Sequence, residues 1–198
     1  MRADFMTFSQ STSPYLVSTT LLNFTDPDYT TITSLTGGGL TLTYDTPIDE
    51  RTVPDSWNTW NTPPAVESTT PRVGTTDGVS TLTIHFSDAL KVFGLEIEPD
   101  NYGPELIRAK YYSGSKLVGA INLSPNGNGG ALLYAASTGS GSFTKVVITN
   151  VTGDDFAFGS QRFQLASASS TPEPGTFALG AGALLIAGFA KRRASRKS

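Results

Sequence analysis

Apolar and polar residues alternate with a period of two over short runs through most of this chain. Leu82, Ile84 and Phe86 interleave with Thr81, Thr83 and His85, and Phe93, Leu95 and Ile97 interleave with Gly94, Glu96 and Glu98. Successive side chains of a strand point to opposite faces, so each run predicts one face turned inward and one toward water. Further strands are expected at Leu40 to Tyr44, Leu106 to Tyr112, Leu117 to Leu123, Ala131 to Ala136, Phe143 to Thr149 and Phe156 to Leu165. Turn signals separate them, among them Gly37-Gly38-Gly39, Asp77-Gly78, Asn101-Tyr102-Gly103-Pro104 and Asn126-Gly127-Asn128-Gly129-Gly130. No stretch of this body shows convincing helical periodicity. Short strands with glycine-rich turns predict an all-β fold, a two-layer antiparallel β-sandwich of jelly-roll type, with an immunoglobulin-like sandwich as the alternative.

The pattern changes at the C-terminal end. Residues 1–166 form the expected sandwich, and 167–171 (Ser167-Ala168-Ser169-Ser170-Thr171) form a small, polar linker. Residues 172–198 then run from Pro172-Glu173-Pro174, through the apolar segment 175–190, to a basic end at 191–198. The apolar segment has no charge. As a helix its 16 residues would span about 24 Å against a hydrocarbon core of about 30 Å. Basic side chains can extend toward the headgroups and make up part of the difference. Lys191, Arg192, Arg193, Arg196 and Lys197 are a stop-transfer cluster, which predicts a cytoplasmic C-terminus and a body on the outer side. One C-terminal membrane-type helix is therefore expected beside the sandwich.

This order resembles the PEP-CTERM sorting tail of exported proteins of Gram-negative bacteria. The resemblance covers residues 172–198 alone. It implies recognition of Pro172, Glu173 and Pro174 by exosortase, a membrane-embedded processing protease, and release or transfer of the body to the cell surface or extracellular polymer. The two prolines forbid helix, leaving an extended segment suited to a protease. The expected location is the inner membrane before processing and the surface or extracellular matrix afterwards. Met1 to Thr7 contains no apolar run of the kind a secretory signal peptide requires, and the strand-like Asp4-Phe5-Met6-Thr7-Phe8 reads as the region just after a removed leader. A start codon assigned too late, or a chain given without its leader, is the expected explanation.

Charge narrows the function classes. Residues 1–171 hold nine Lys and Arg against sixteen Asp and Glu, about minus 7, whereas the tail carries plus 4. An acidic body lacks the electrostatic footprint of a nucleic-acid binder. The absence of cysteine removes disulfides, thiolate catalysis and cysteine-ligated metals. His85, the only histidine, falls on the polar face of its strand, and no G-x-S-x-G elbow accompanies it. Glu96 and Glu98 fall on one strand face roughly 7 Å apart, within the range of glycosidase carboxylates. Acidic residues on a solvent face are the commoner meaning of that pattern, and the chain is read as a non-enzyme.

Two features bear on binding. Ile48 to Thr76, rich in Pro, Thr and Asn, reads as a long excursion at the sandwich edge, and it contains Trp57-Asn58-Thr59-Trp60-Asn61. Trp57 and Trp60 are either a platform for the apolar faces of a glycan or plugs closing one end of the sandwich. Asp26-Pro27-Asp28 and Asp154-Asp155 are oxygen-rich turns, candidate ligands for calcium, the one cofactor considered; the other meaning is turn-forming Asp bonded to its own backbone. The leading expectation is an exported, non-catalytic surface or matrix protein in contact with extracellular polysaccharide. The alternative is a carbohydrate-binding jelly-roll module, calcium-stabilised or not.

Overall fold

The computed structural model describes residues 5–166. In chain order these form β1 (Phe5–Phe8), α1 (Ser13–Ser18), β2 (Thr20–Leu22), β3 (Thr31–Gly37), β4 (Leu40–Thr52), β5 (Arg72–Thr75), β6 (Thr81–Pro99), β7 (Ile107–Ser113), β8 (Lys116–Leu123), β9 (Leu132–Thr138), β10 (Phe143–Asn150) and β11 (Phe156–Leu165). The fold is all-β, and the strand pairings are antiparallel. All six further strands expected from alternation are present, several of them longer than the pattern showed. The linker 167–171, the sorting motif, the apolar segment 175–190 and the basic cluster lie outside the described residues. Among the described residues no helix is long and apolar enough to cross a membrane.

The organising element is β6, a single strand of 19 residues. Its first half pairs with β4, Tyr44 facing Ile84, and with β10, Ile148 facing Leu82. Its second half pairs with β11, Phe158 facing Ile97, and with β9, Tyr134 facing Leu95. Between the halves, Ser87-Asp88-Ala89 stays in strand, and the register against β10 shifts there, from Lys145 facing His85 to Phe143 facing Leu90. The sheet folds over one core in which Leu82, Ile84, Phe93, Leu95, Tyr111, Phe143 and Phe158 are fully buried. Rings from strands that are not ladder neighbours meet there, Phe5 of β1 lying 5.5 Å from Tyr111 of β7 and 6.2 Å from Phe143 of β10. Each such side chain contributes about 1.5–3 kcal/mol by leaving water.

Both faces of the second half of β6 are covered. Phe93, Leu95 and Ile97 enter the main core, and the opposite face meets two smaller clusters. One gathers Tyr15 of α1 with Val92, Leu133 and Ala135; the other gathers Val53, Trp60 and Val66 with Val73, Ala131 and Ala157. Gly94 is where α1 comes closest, since a Cβ there would collide with Ala135 and the Tyr15 hydroxyl. Two expectations change as a result. Ile48 to Thr76 is not all loop, because β4 continues to Thr52 and Arg72–Thr75 is β5; residues 53–71 fold across the sheet as its cover. The body also contains a helix, α1, too short at six residues to show a helical period, with a proline in its first turn.

Candidate functional site

The cover is fastened to the sheet by two carboxylates. Glu96 and Glu98 alternate with Leu95 and Ile97 and therefore point away from the main core, into the interface with residues 53–71. Both are fully buried, which corrects the expectation that they face solvent. Glu98 accepts hydrogen bonds from the Trp57 indole N–H (3.1 Å), the Thr59 hydroxyl (2.9 Å) and the amides of Gly129 (2.7 Å) and Gly130 (3.3 Å). Glu96 accepts from the Trp60 indole N–H (3.2 Å), the Ser11 hydroxyl (3.1 Å) and the Glu67 amide (2.5 Å). An isolated carboxylate would be expensive to bury, and these donors offset that cost. Burial raises both pKa values above the usual carboxylate range, while the donors named pull the other way. Arg162 of β11 adds a bidentate pair with Glu67 at 2.6 and 2.7 Å, and also donates to the Leu16 carbonyl at 3.1 Å, tying α1 and the cover to one strand.

The fastened cover forms one wall of a polar cleft of about 280 Å³. Trp57, Asn58 and Thr59 line that wall. Three strand ends supply the facing side: Asp77 follows β5, Asp100 follows β6 and Asp155 precedes β11. They converge because β11 pairs with both neighbours, Ala157 facing Thr75 and Phe156 facing Pro99. Tyr102 stands at the rim, 75% exposed. Asp155 accepts from the Gly78 amide at 3.0 Å. The Asp100 carboxyl is held above its ordinary value, first by burial and then by the like charges of Asp155 and Glu105.

The sequence-predicted residues divide accordingly. Trp57 lines the cleft, half-buried and with its N–H committed to Glu98. Trp60 is 6% exposed and packs under the cover, so only one of the two indoles borders open space. Asp155 reaches the cleft; Asp154 is exposed and is not part of its lining.

Asp26 and Asp28 belong to a neighbouring cluster around Arg72. The Arg72 guanidinium donates to the Asp26 carbonyl and lies 3.4 Å from both Asp28 Oδ1 and Glu50 Oε2. Asp28 also accepts from Thr52 and Ser56 at 2.6 Å each, and the Ser56 and Thr52 hydroxyls hold its carboxyl below the usual range. Glu50 is raised, by burial and then by Asp26. The oxygen atoms of this turn that were expected as calcium ligands are thus engaged by a guanidinium and two hydroxyls. No group of three or more His, Cys, Asp or Glu able to hold a metal ion is found among the described residues.

Tyr102 and Asp77 were legible as turn residues but not as site residues, and Asp100 was not singled out. Their convergence depends on the order of β5, β11 and β6, which no local pattern carries. His85 is exposed on the first half of β6, paired with Thr43 and Lys145 across its two ladders.

No family model and no curated protein sequence matches the chain. Among solved structures it is similar to a family 29 carbohydrate-binding module from Piromyces equi, with 10% identity over 77% of this chain and 93% of that one, at a TM-score of 0.35. A family 11 carbohydrate-binding module from Clostridium thermocellum, in complex with a mixed-linked tetrasaccharide, shares 9% identity over 75% and 96% of the two chains, at a TM-score of 0.34. The enzymatically active domain of tailspike protein 4 of bacteriophage CBA120 shares 14% identity at a TM-score of 0.32, and this chain spans only 20% of it. Overlaps this low carry no functional inference.

Proposed function

We propose that the body of this chain is a non-catalytic carbohydrate-binding module of jelly-roll type. The observation that carries the reading is the cleft between the cover and the strand ends. It places an indole and a phenol, Trp57 and Tyr102, beside amide, hydroxyl and carboxylate groups. A sugar ring presents an apolar C–H face and a belt of hydroxyls, and this lining offers a surface for each. Small-ligand sites are concave and combine apolar area with a few placed polar groups.

The catalytic candidates of the sequence do not open onto this cleft. Glu96 and Glu98, the carboxylate pair at glycosidase spacing, are sealed beneath the cover and saturated with donors. Among the described residues the histidine has no carboxylate hydrogen-bonded to it and stands outside the cleft lining.

The residue order from Pro172 to Ser198 supports an exported location, with exosortase-type processing at Pro172-Glu173-Pro174 and delivery to the cell surface or its polymer. A sugar-binding body would hold such a protein in extracellular polysaccharide after its tail is cut. Titration of a panel of neutral and charged oligosaccharides tests the body. Saturable binding that weakens in Tyr102→Ala is expected, and no binding across the panel would refute the reading. Intact mass of the mature protein tests the tail: a product ending near Pro174 is expected, and a mature chain retaining Ser198 would contradict processing.

A further inference from the structure

Resting on that sugar-binding reading, we propose that the cleft selects glycans bearing free amino groups and rejects polyanionic ones. Three carboxylates, those of Asp77, Asp100 and Asp155, reach the cleft from adjacent strand ends. Asp155 is engaged by one backbone amide, and no hydrogen bond among the described residues engages the Asp100 carboxylate. The Asp100 carboxyl is raised first by burial and then by the like charges of Asp155 and Glu105.

The cation of the lining is already occupied. Arg51 pairs with Asp49 at 2.6 Å, donates to the Glu50 carbonyl at 3.1 Å and lies 4.1 Å above the Tyr29 ring. Its charge is therefore turned toward its own neighbours, and the cleft keeps an excess of negative charge. Hydroxyls of any sugar can donate to these carboxylates. An ammonium group does so with opposite charge, which strengthens the hydrogen bond. A uronate or sulfate would bring a like charge into a partly enclosed space, where repulsion is less screened than in open water.

The test is isothermal titration of the full 198-residue chain with glucosamine hexamer, N-acetylglucosamine hexamer and guluronate hexamer, at a mildly acidic pH that keeps the amines protonated. The amino oligomer is expected to bind about three- to tenfold tighter than its acetylated counterpart, the range of one or two partly exposed charge pairs. The guluronate oligomer is expected not to bind. In Asp100→Asn and Asp155→Asn, with thermal melts confirming that both are folded, the amino-to-acetyl ratio should fall toward one. Equal affinities, tighter guluronate binding, or a ratio unchanged in both variants would overturn the selection while leaving sugar binding intact. Failure of all three oligomers and of a neutral glucan ladder would overturn the selection and the sugar reading together.

Discussion

The two halves of β6 have the same alternating sequence and opposite fates. In the first, Leu82 and Ile84 are buried while Thr81 and His85 are exposed, as a half-buried strand requires. In the second, every residue from Val92 to Pro99 is buried, including Glu96 and Glu98. The difference does not lie in the strand. It lies in what arrives from elsewhere: α1 and residues 53–71 lie across one half and leave the other in water. A polar residue on an uncovered face is solvated. The same residue under a cover becomes an anchor, provided the cover brings donors to it. Here the cover brings both tryptophan indoles, the Thr59 hydroxyl and the Glu67 amide, and the Ser11 hydroxyl with the amides of Gly129 and Gly130 completes the set.

If that contrast is sound, substitutions in the two halves should differ sharply. The largest effect is expected for Glu96→Ala, which leaves the Trp60 N–H, the Glu67 amide and the Ser11 hydroxyl without their acceptor. A loss of about 3–5 kcal/mol, the size found when one partner of a buried charged network is removed, should appear in urea unfolding. A loss below about 1 kcal/mol would mean that the cover is not fastened there.

Glu98→Gln should cost less, about 1–3 kcal/mol, because an amide keeps one acceptor but turns its NH2 toward donors. It should also weaken glycan binding, since Trp57 and Thr59 lose the group that positions them. Unchanged binding would separate Glu98 from the cleft. Tyr102→Ala removes an exposed ring, so stability should stay within about 0.5 kcal/mol while affinity falls several-fold. His85→Ala, on the uncovered half, should change stability by no more than about 0.5 kcal/mol.

Acidity provides a gentler probe of the same contrast. Glu96 and Glu98 have folded pKa values raised from 4.5, so folding favours their protonated forms. Their contribution to stability is full below the unfolded value and is lost as pH rises through the folded values. Acidification from neutral toward the 4.5 reference should therefore relieve their cost, and the relief should shrink in Glu98→Gln. Asp28, lowered from 3.8, works oppositely, and its contribution is lost only on further acidification below that value. Melting curves across this range check both signs.

How much the sequence disclosed follows the same division. The first half of β6, β7, β8, β10 and β11 were readable because their pattern is local: one face apolar, the other polar, turns between. The burial of Glu96 was not, because it depends on Trp60 and Glu67, roughly thirty residues earlier in the chain. The pattern of Gly94, Glu96 and Glu98 looked like a wet face when the covering segment was read as an edge loop. β5 escaped notice because four residues are too few to establish alternation. Of the candidate site, Trp57 and Asp155 were identifiable by residue type, while Asp77, Asp100 and Tyr102 needed the strand order to bring them together.

The most direct test of the cleft uses its own indole. With Trp60→Phe in place, Trp57 is the single tryptophan left, at the boundary between the cover and the cleft. Addition of glucosamine hexamer should shift its fluorescence saturably, with a midpoint matching the calorimetric Kd. An emission spectrum indifferent to every oligosaccharide that calorimetry shows to bind, or an equal shift in Trp57→Phe where only the sealed Trp60 can report, would place the ligand elsewhere and contradict the account.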